Sequence, residues 1–264
     1  MATAVLCDLD GVVWLAGAGL PGAAAGVARL RAAGLAVGFL TNNSSLTVGE
    51  YLRRLEKVGI PAEPDELLTS AMAAAAVLAV ELAPGAKVLA CAGAGVVEAL
   101  EQHRFEVVSE GPCEAVVVGW HREFDFARLA RASAAVRAGA RFMATNLDPT
   151  FPGPDGLLPG NGSLVAAVAT ASGRSPEVAG KPEPATVALV RRRFGDDGVM
   201  VGDRPSIDGA LATALGWPFA LVISDATVSS DEPADHGATW VAASLGELAG
   251  PLVEALTPDG GSQR

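Results

Sequence analysis

The chain has 264 residues, half of them hydrophobic, with a formal net charge of −11, so it can bury one large core or two ordinary ones. That charge repels nucleic acid and anionic membrane surfaces, which excludes both as expected partners. The N-terminus, MATAVLCDLD, lacks the regions of a secretory signal, and the apolar run 71–80 is too short to cross a bilayer. Three scattered cysteines favour reduced thiols and a cytoplasmic location.

Short apolar runs alternate with helical stretches closed by glycine, a pattern typical of an α/β protein with a largely parallel sheet. We predict strands at residues 4–7, 35–40, 87–91, 115–120, 141–145, 198–202 and 219–223. We predict helices at residues 22–33, 48–58, 96–103, 126–138, 207–215 and 245–256, with one more between Lys181 and Phe194. Thr47 and Glu50 have the spacing of a capping box, Gly34 and Gly59 end helices, and the tail 257–264 should be disordered.

Polar side chains follow four of the predicted apolar segments, and ligands of open α/β sheets bind beyond the carboxyl ends of strands. These positions are Asp8 with Asp10, Thr41 with Asn42 and Asn43, Lys181, and Asp203. Each motif alone also fits a turn, a helix cap or a solvated surface. If the strands share one sheet, these groups meet at one edge, and their ordered conjunction predicts a site there.

A glycine-rich turn at Gly93 and Gly95 follows a predicted strand and resembles the start of a dinucleotide-binding loop. Glu98 stands where that motif requires its third glycine, and no acidic ligand for a ribose follows at the right distance. We therefore predict a tight strand-to-helix turn and no dinucleotide.

The motifs DLDGVVW, TNNSS, GKPEP and VGDRPSID resemble, in order, the four motifs of the haloacid-dehalogenase superfamily of phosphatases. The stretches ATNLDPTFPGPDGLLPGNGSLVAAV and PEVAGKPEP are similar to subfamily IIA, which includes NagD-type, 4-nitrophenylphosphatase-like and phosphoglycolate or pyridoxal phosphatases. The resemblance covers residues 3–256. It implies a Rossmann-like parallel-sheet core and a Mg²⁺-dependent hydrolase of small phosphomonoesters that works through an aspartyl-phosphate.

The resemblance also assigns roles to the acids. Asp8 would be the nucleophile that attacks phosphorus, and Asp10 the general acid and base. Mg²⁺ would be held by the Asp8 carboxylate, the Asp10 carbonyl and Asp203, an all-oxygen set that suits this ion. Gly11 suits the turn that these roles need.

The remaining motifs would supply phosphate binding and support. By resemblance, Thr41 and the amides around Asn42 and Asn43 bind the phosphoryl oxygens, and Lys181 neutralises the phosphoryl group and the nucleophile.

One motif departs from the family pattern. Pro205 and Ile207 replace the usual leucine and threonine, while Asp208 keeps the later acidic position and is expected to support the site from behind.

Spacing predicts an inserted domain. Asp10 and Thr41 are 31 residues apart, room for one helix and one strand, but Thr41 and Lys181 are 140 residues apart. We predict a catalytic core of residues 1–81 plus 180–264 and an inserted α/β cap of residues 82–179. By resemblance this is a C2-type cap, and its position favours hydrolysis over a mutase reaction.

Substrate specificity is expected in the cap, because the four motifs contact only the phosphoryl group and the metal. Asn146, Asp148 and Phe151 are the candidates to contact the leaving group, with a purely structural turn as the alternative. The partner is a small phosphorylated metabolite; glycerol phosphate, phosphoglycolate, sugar phosphates and nucleoside monophosphates all stay open. Related caps dimerise, so a homodimer through the cap is also considered.

Two other functions fit parts of the pattern. A phosphotransferase would use Asp8 in the same way, and a non-catalytic sensor would bind a phosphorylated metabolite without turnover. Retention of Asp8, Asp10, Lys181 and Asp203 speaks against the sensor, because binding alone needs no acid/base.

Overall fold

The computed structural model describes residues 3–153, 156–223 and 237–257. The strands are β1 Ala4–Asp8, β2 Trp14–Leu15, β3 Ala18–Gly19, β4 Ala36–Thr41, β5 Leu67–Thr69, β6 Lys87–Cys91, β7 Glu106–Val108, β8 Ala115–Val118, β9 Arg141–Ala144, β10 Thr150–Gly153, β11 Gly156–Pro159, β12 Glu177–Val178, β13 Gly198–Gly202, β14 Phe219–Val222 and β15 Trp240–Ala242. The helices are α1 Ala23–Ala32, α2 Val48–Lys57, α3 Ser70–Glu81, α4 Ala94–Gln102, α5 Phe126–Arg137, α6 Asn161–Ser172, α7 Pro184–Phe194, α8 Ala210–Leu215 and α9 Leu245–Leu256.

The chain divides into two compact units. The first comprises Met1–Leu40, Leu52–Leu68 and Val190–Arg264, and the second comprises Thr41–Tyr51 and Thr69–Leu189. The core and cap boundaries predicted from sequence, 1–81 plus 180–264 and 82–179, stay predictions. The two units group residues 41–51, 69–81 and 180–189 with the segment predicted to be the cap.

A six-stranded sheet in the order β15-β14-β13-β1-β4-β5 forms the centre of the first unit. The ladders that join β15, β14, β13, β1 and β4 are all parallel. Every residue of β1 and of β13 is buried, which is why both strands are continuous apolar runs in the sequence. The predicted α/β fold with a parallel central sheet is confirmed.

Helices α1 and α9 of the first unit pack closely because glycine replaces a side chain between them. A Cβ on Gly26 would lie 2.8 Å from the Leu245 carbonyl oxygen, so only glycine allows this approach. Gly34 ends α1 as predicted, with a φ of 80°, and its N–H donates to the Arg31 carbonyl over 2.9 Å.

The second unit contains a five-stranded parallel sheet in the order β12-β9-β8-β6-β7. Helices α5 and α6 pack over it, and the buried cluster beneath them includes Val116, Val118, Phe142 and Val165. The predicted capping box at the start of α2 is present: Thr47 N–H donates to Glu50 Oε2 over 2.8 Å, and Glu50 N–H donates to Thr47 Oγ1 over 3.3 Å.

The sequence did not predict the short hairpins. Strands β2 and β3 are joined by Ala16 and Gly17, both with positive φ, and two-residue strands give no apolar alternation to detect. Strands β10 and β11 pair antiparallel in a stretch whose prolines and glycines suggest a loop. The predicted helix over 207–215 instead begins with a π-helical turn, Pro205–Gly209, ahead of α8.

Two further expectations concern the ends and the apolar runs. Except for Thr257, the tail predicted to be disordered lies outside the described residues. Among the helices that the structure describes, none has the length and apolar character required of a membrane span.

Candidate active site

The backbone turns sharply directly after Asp8, the last residue of β1. Asp8 is buried, and its Oδ1 accepts the N–H of Leu9 over 2.8 Å. The Leu9 carbonyl then accepts three successive N–H groups, from Val12 over 3.4 Å, Val13 over 2.9 Å and Trp14 over 3.1 Å. The second acid of the motif therefore leaves the line of the strand, as the roles implied by the resemblance require.

Gly11 makes that turn possible for two separate reasons. Its φ is +87°, a conformation that side chains rarely adopt. A Cβ on Gly11 would also collide with the Asp203 carboxylate. The glycine after the two acids thus gives room to a third acid that the sequence supplies 192 residues later.

Three carboxylates of the first unit converge. Asp8, Asp203 and Asp208 are all buried, and each offers one oxygen that lies within 4.8 Å of the other two. Three buried negative charges so close together repel one another strongly unless a cation or protons compensate them. A purely oxygen donor set of this kind fits Mg²⁺, which prefers carboxylates and water to nitrogen or sulfur.

The loop after β13 places Asp208 beside Asp203. Asp208 N–H donates to the Arg204 carbonyl over 2.7 Å, and Asp208 Oδ2 accepts the Arg204 N–H over 3.1 Å. Pro205 occupies the first position of the π-helical turn, where no N–H donor is required. A Cβ on Gly202 would overlap the Asp208 side chain, so this glycine leaves the space that Asp208 fills. The unusual proline is therefore accommodated without displacing either acid from the cluster.

Asp10 has a partner that the sequence analysis missed. The Trp14 indole Nε1 donates to Asp10 Oδ1 over 3.1 Å. Trp14 begins β2, whose hairpin with β3 carries it. The signal available in the sequence was an indole donor four residues after the acid, in the same motif.

Cys7, the neighbour of Asp8, remains a neutral thiol. Burial, with a smaller contribution from the adjacent Asp8 charge and a partial offset by Arg31, raises the pKa of the Cys7 thiol to about 12. The residue beside the candidate nucleophile thus adds no negative charge to the acid cluster.

The loop after β4 belongs to the second unit and is held by its own side chains. Thr41 Oγ1 accepts the N–H of Asn43 over 3.0 Å, and Asn43 Oδ1 accepts from Ser45 N and Oγ over 3.0 and 2.7 Å. The Tyr51 hydroxyl donates to the Asn43 carbonyl over 2.7 Å. These bonds fix the shape of the TNNS loop.

Four of the residues singled out from sequence meet in the second unit. Asn42 Oδ1 accepts the N–H of Lys181 over 2.8 Å, and Asn42 Nδ2 donates to Asp148 over 3.3 Å. Asn146 Nδ2 donates to the Asn42 carbonyl over 2.6 Å. Lys181 itself is 5% exposed. Asn42 therefore connects two predicted specificity residues with the predicted phosphate-binding lysine.

Phe151, the third predicted specificity residue, contributes to a different cluster. Its ring contacts Trp120 edge-on, with 4.6 Å between ring centroids, and Trp120 Nε1 donates to the Pro159 carbonyl over 2.9 Å. The Arg122 guanidinium lies 5.7 Å from the Trp120 ring centroid. Sequence analysis missed Trp120 and Arg122, although the tryptophan directly follows the β8 strand and glycine.

The condition that all four motifs follow strands of one sheet holds for three of them. Strands β13, β1 and β4 are parallel neighbours in the six-stranded sheet and end at the same edge. Lys181 follows β12, which belongs to the five-stranded sheet. The sequence around Lys181, GKPEP, does not indicate to which sheet the preceding strand belongs.

The glycine-rich turn before α4 is occupied by the chain itself. Gly95 N–H donates to the Ser45 carbonyl over 3.2 Å, and a Cβ on Gly93 would lie 2.6 Å from that same oxygen. Glu98 Oε2 accepts the N–H of Val48, the first residue of α2, over 2.8 Å. The predicted tight strand-to-helix turn is confirmed.

Comparison with known proteins gives consistent matches along the chain. A family model described as haloacid dehalogenase-like hydrolase matches residues 5–106, and a second, described as HAD-hydrolase-like, matches residues 178–248. D-glycerol 3-phosphate phosphatase of Mycobacterium tuberculosis is 41% identical over 225 residues, which are 83% of this chain and 62% of that protein. The chain thus spans somewhat less than two thirds of that relative.

Two other matches cover more of their own lengths. Acid sugar phosphatase of Staphylococcus aureus is 35% identical over 203 residues, which are 76% of this chain and 78% of that protein. The crystal structure of glycerol phosphate phosphatase from Mycobacterium tuberculosis in complex with magnesium has a TM-score of 0.82 at 35% identity, covering 92% of this chain and 75% of that one. The chain therefore belongs to the haloacid dehalogenase-like hydrolases, in the subfamily IIA that its motifs predicted.

Proposed function

We propose that this chain is a Mg²⁺-dependent phosphatase that hydrolyses phosphomonoesters of small metabolites. The observation that carries the proposal is the convergence of Asp8, Asp203 and Asp208 within 4.8 Å, at and beyond the carboxyl ends of the neighbouring parallel strands β1 and β13. The relatives named above are phosphatases, and one of them was solved with magnesium. Three carboxylates would repel an anionic phosphate ester unless a bound cation compensated their charge.

Asp8 is the nucleophile in this proposal. Its carboxylate attacks phosphorus, the bond from phosphorus to the ester oxygen breaks, and an aspartyl-phosphate forms. Water then attacks the phosphorus of this intermediate and releases inorganic phosphate with Asp8 restored. The Leu9 N–H bonded to Asp8 Oδ1 fixes the orientation of the carboxylate for attack.

Asp10 moves the protons. It protonates the departing ester oxygen in the first step and accepts a proton from the attacking water in the second. The Trp14 indole bonded to Asp10 Oδ1 holds the carboxyl group in one orientation. Because Asp10 lies beyond the sharp turn at Leu9, it is not confined to the line of β1.

Asp8, Asp203 and the Asp10 carbonyl would hold Mg²⁺. Asp208, expected from the sequence only to support the site, lies close enough to Asp8 and Asp203 to be a further ligand. When bound, the ion offsets the negative charge that accumulates on the transferring phosphoryl group. Thr41, the amides around Asn42 and Asn43, and Lys181 would bind the phosphoryl oxygens. These groups supply local positive charge and donors to a protein whose net charge is −11.

The leaving group is recognised, in this proposal, by the aromatic cluster of Phe151, Trp120 and Arg122. The side chains of Asn146 and Asp148 are hydrogen-bonded to Asn42 of the TNNS loop, so their first role is to hold that loop. Glycerol phosphate and sugar phosphates are the leading candidate substrates, because two relatives are named as a D-glycerol 3-phosphate phosphatase and an acid sugar phosphatase.

The location and assembly of the protein are also proposals. Cys7, Cys91 and Cys113 are all free thiols, which suits the reducing cytoplasm. Phe126, at the start of α5, is 83% exposed, and an exposed aromatic side chain of this kind suits a homodimer interface. Light scattering of the purified chain distinguishes a dimer from a monomer.

Mg²⁺ should stabilise the fold through the acid cluster. At 100 times its Kd, a ligand that binds only the folded state adds about 2.7 kcal/mol to the free energy of unfolding. We expect this increment in the natural chain and its loss in Asp203→Asn. Asp197→Asn removes an exposed acid before β13 and should keep the increment. Urea unfolding with Mg²⁺ and with chelator measures it; equal increments in both variants would contradict the metal assignment.

Phosphate release should require Asp8 and Mg²⁺. The test is a panel of glycerol phosphate, phosphoglycolate, sugar phosphates, nucleoside monophosphates and 4-nitrophenyl phosphate, with and without chelator. Asp8→Asn should lower kcat by more than about 10³-fold because an amide cannot act as the nucleophile. Full activity in that variant or in excess chelator would sink the mechanism.

The products of the same panel separate the rival functions. A phosphotransferase would move the phosphoryl group to an acceptor and release little free phosphate. A non-catalytic sensor would bind panel members without turnover.

Asp10→Asn should impair hydrolysis most where the leaving group needs a proton. An alkoxide such as that of glycerol departs poorly without one, whereas 4-nitrophenolate departs readily. We expect the loss in kcat for glycerol phosphate to exceed the loss for 4-nitrophenyl phosphate by about 10-fold or more. Equal losses for the two esters would show that Asp10 is not the acid.

Phe151→Ala should change substrate ranking while leaving the chemistry intact. The phosphoryl-binding groups are common to all substrates, so discrimination depends on contacts to the leaving group. We expect the ratio of kcat/KM between a sugar phosphate and 4-nitrophenyl phosphate to shift roughly 10-fold. Leu157→Ala alters an exposed side chain of the same hairpin and should leave the ratio unchanged. An unchanged ranking in folded Phe151→Ala would remove Phe151 as the selector.

A further inference from the structure

The Asn42 side chain makes two hydrogen bonds to the backbone of Lys181. Asn42 Oδ1 accepts the Lys181 N–H over 2.8 Å, and Asn42 Nδ2 lies 3.3 Å from the Lys181 carbonyl oxygen, to which it donates. Both atoms of the amide thus engage one residue, as a neighbouring strand would. Such a pair fixes the place and direction from which the lysine side chain starts.

The Asn42 amide can approach because the residue before Lys181 is a glycine. A Cβ on Gly180 would lie 2.7 Å from Asn42 Oδ1 and would also collide with the Thr145 carbonyl. Asn42 and Gly180 are both buried. The close contact is therefore built into the sequence at two positions that lie 138 residues apart.

The backbone of Asn42 is held from the other side. Its carbonyl oxygen accepts the Ser70 hydroxyl over 2.5 Å and Asn146 Nδ2 over 2.6 Å. Asn42 Nδ2 also lies 3.3 and 3.4 Å from the two Asp148 carboxylate oxygens. With its backbone carbonyl and its side-chain amide both held, Asn42 has little freedom to reorient towards a ligand.

We propose that Asn42 is a positioning residue that fixes Lys181, and that its side chain is not a ligand of the phosphoryl group. The sequence analysis grouped Asn42 with the phosphate-binding residues. Its donor already faces the Lys181 carbonyl and the Asp148 carboxylate, and its Oδ1 is an acceptor that a phosphate oxygen would repel. Misplacing a charged catalytic group by about 1 Å costs on the order of 10²-fold in rate.

The kinetic part of this proposal rests on the proposed function, in which Lys181 neutralises the phosphoryl group, but the contact itself can be tested without activity. Hydrogen exchange at the Lys181 N–H reports the bond to Asn42, and Pro182 adds no amide signal next to it. We expect this exchange to become at least about 10-fold faster in Asn42→Ala, because the acceptor is lost.

A control variant removes a different side-chain-to-backbone hydrogen bond of the same unit. Ser133 Oγ donates to the Ala130 carbonyl over 3.2 Å within α5, and Ser133→Ala should leave exchange at Lys181 unchanged. Slow exchange at Lys181 in folded Asn42→Ala overturns the proposal. Asn42→Ser, whose hydroxyl is too short to span both backbone atoms, serves the same comparison if Asn42→Ala does not fold.

The rate effect is tested by a double-mutant cycle on the phosphatase reaction. Asn42→Ala should lower kcat/KM by about 10- to 100-fold in the natural chain, and by less than about 3-fold when Lys181 is already alanine. A residue that contacts the phosphoryl group itself would cost the same in both backgrounds, and that additive result overturns the positioning role. If the natural chain hydrolyses nothing in the panel, the proposed function fails, and the exchange experiment alone decides whether Asn42 fixes Lys181.

Discussion

Mutual repulsion of three buried carboxylates is the constraint around which the first unit is built. Asp8, Asp203 and Asp208 lie close enough that their charges cannot coexist in a buried setting without compensation. The local backbone is shaped to leave room for the three acids. Glycine stands wherever a Cβ would press on the acids, at Gly11 and Gly202, and a π-helical turn takes the place of the expected helix start. The local structure therefore departs from its most regular form at the acid cluster, as is usual at functional sites.

Much of this arrangement could be predicted from sequence because its signals are local. The acids directly follow apolar runs that read as buried strands, and strands β1 and β13 are such runs. The capping box of Thr47 and Glu50 involves residues three apart, and Gly34 ends a helix by its own conformational freedom. Each of these features is decided within one turn of the chain, so one sequence suffices to identify it.

The rest depends on partners that meet only after folding. Nothing near Asn42 in the sequence points to Lys181, 139 residues later, because a side-chain amide can bond backbone anywhere in the fold. The same holds for Trp120 and Phe151, whose ring contact joins a strand end to a hairpin that the sequence did not predict. The residue types indicated which chemistry is available. Which amide orients Lys181 and which binds the phosphoryl group depends on tertiary contacts.

The self-occupied turn before α4 has a consequence for how glycine motifs are used to infer cofactors. Gly95 presents its N–H, and Gly93 its bare Cα, to the Ser45 carbonyl, which is an internal mimic of a bound diphosphate oxygen. Glu98, which lies on α4, accepts the Val48 N–H at the start of a different helix, α2, a position that favours a negative charge. Such a turn keeps glycines typical of a nucleotide loop, but the chain's own Ser45 carbonyl contacts them. A glycine fingerprint therefore reports a close backbone approach, and the approaching group can be the protein's own chain.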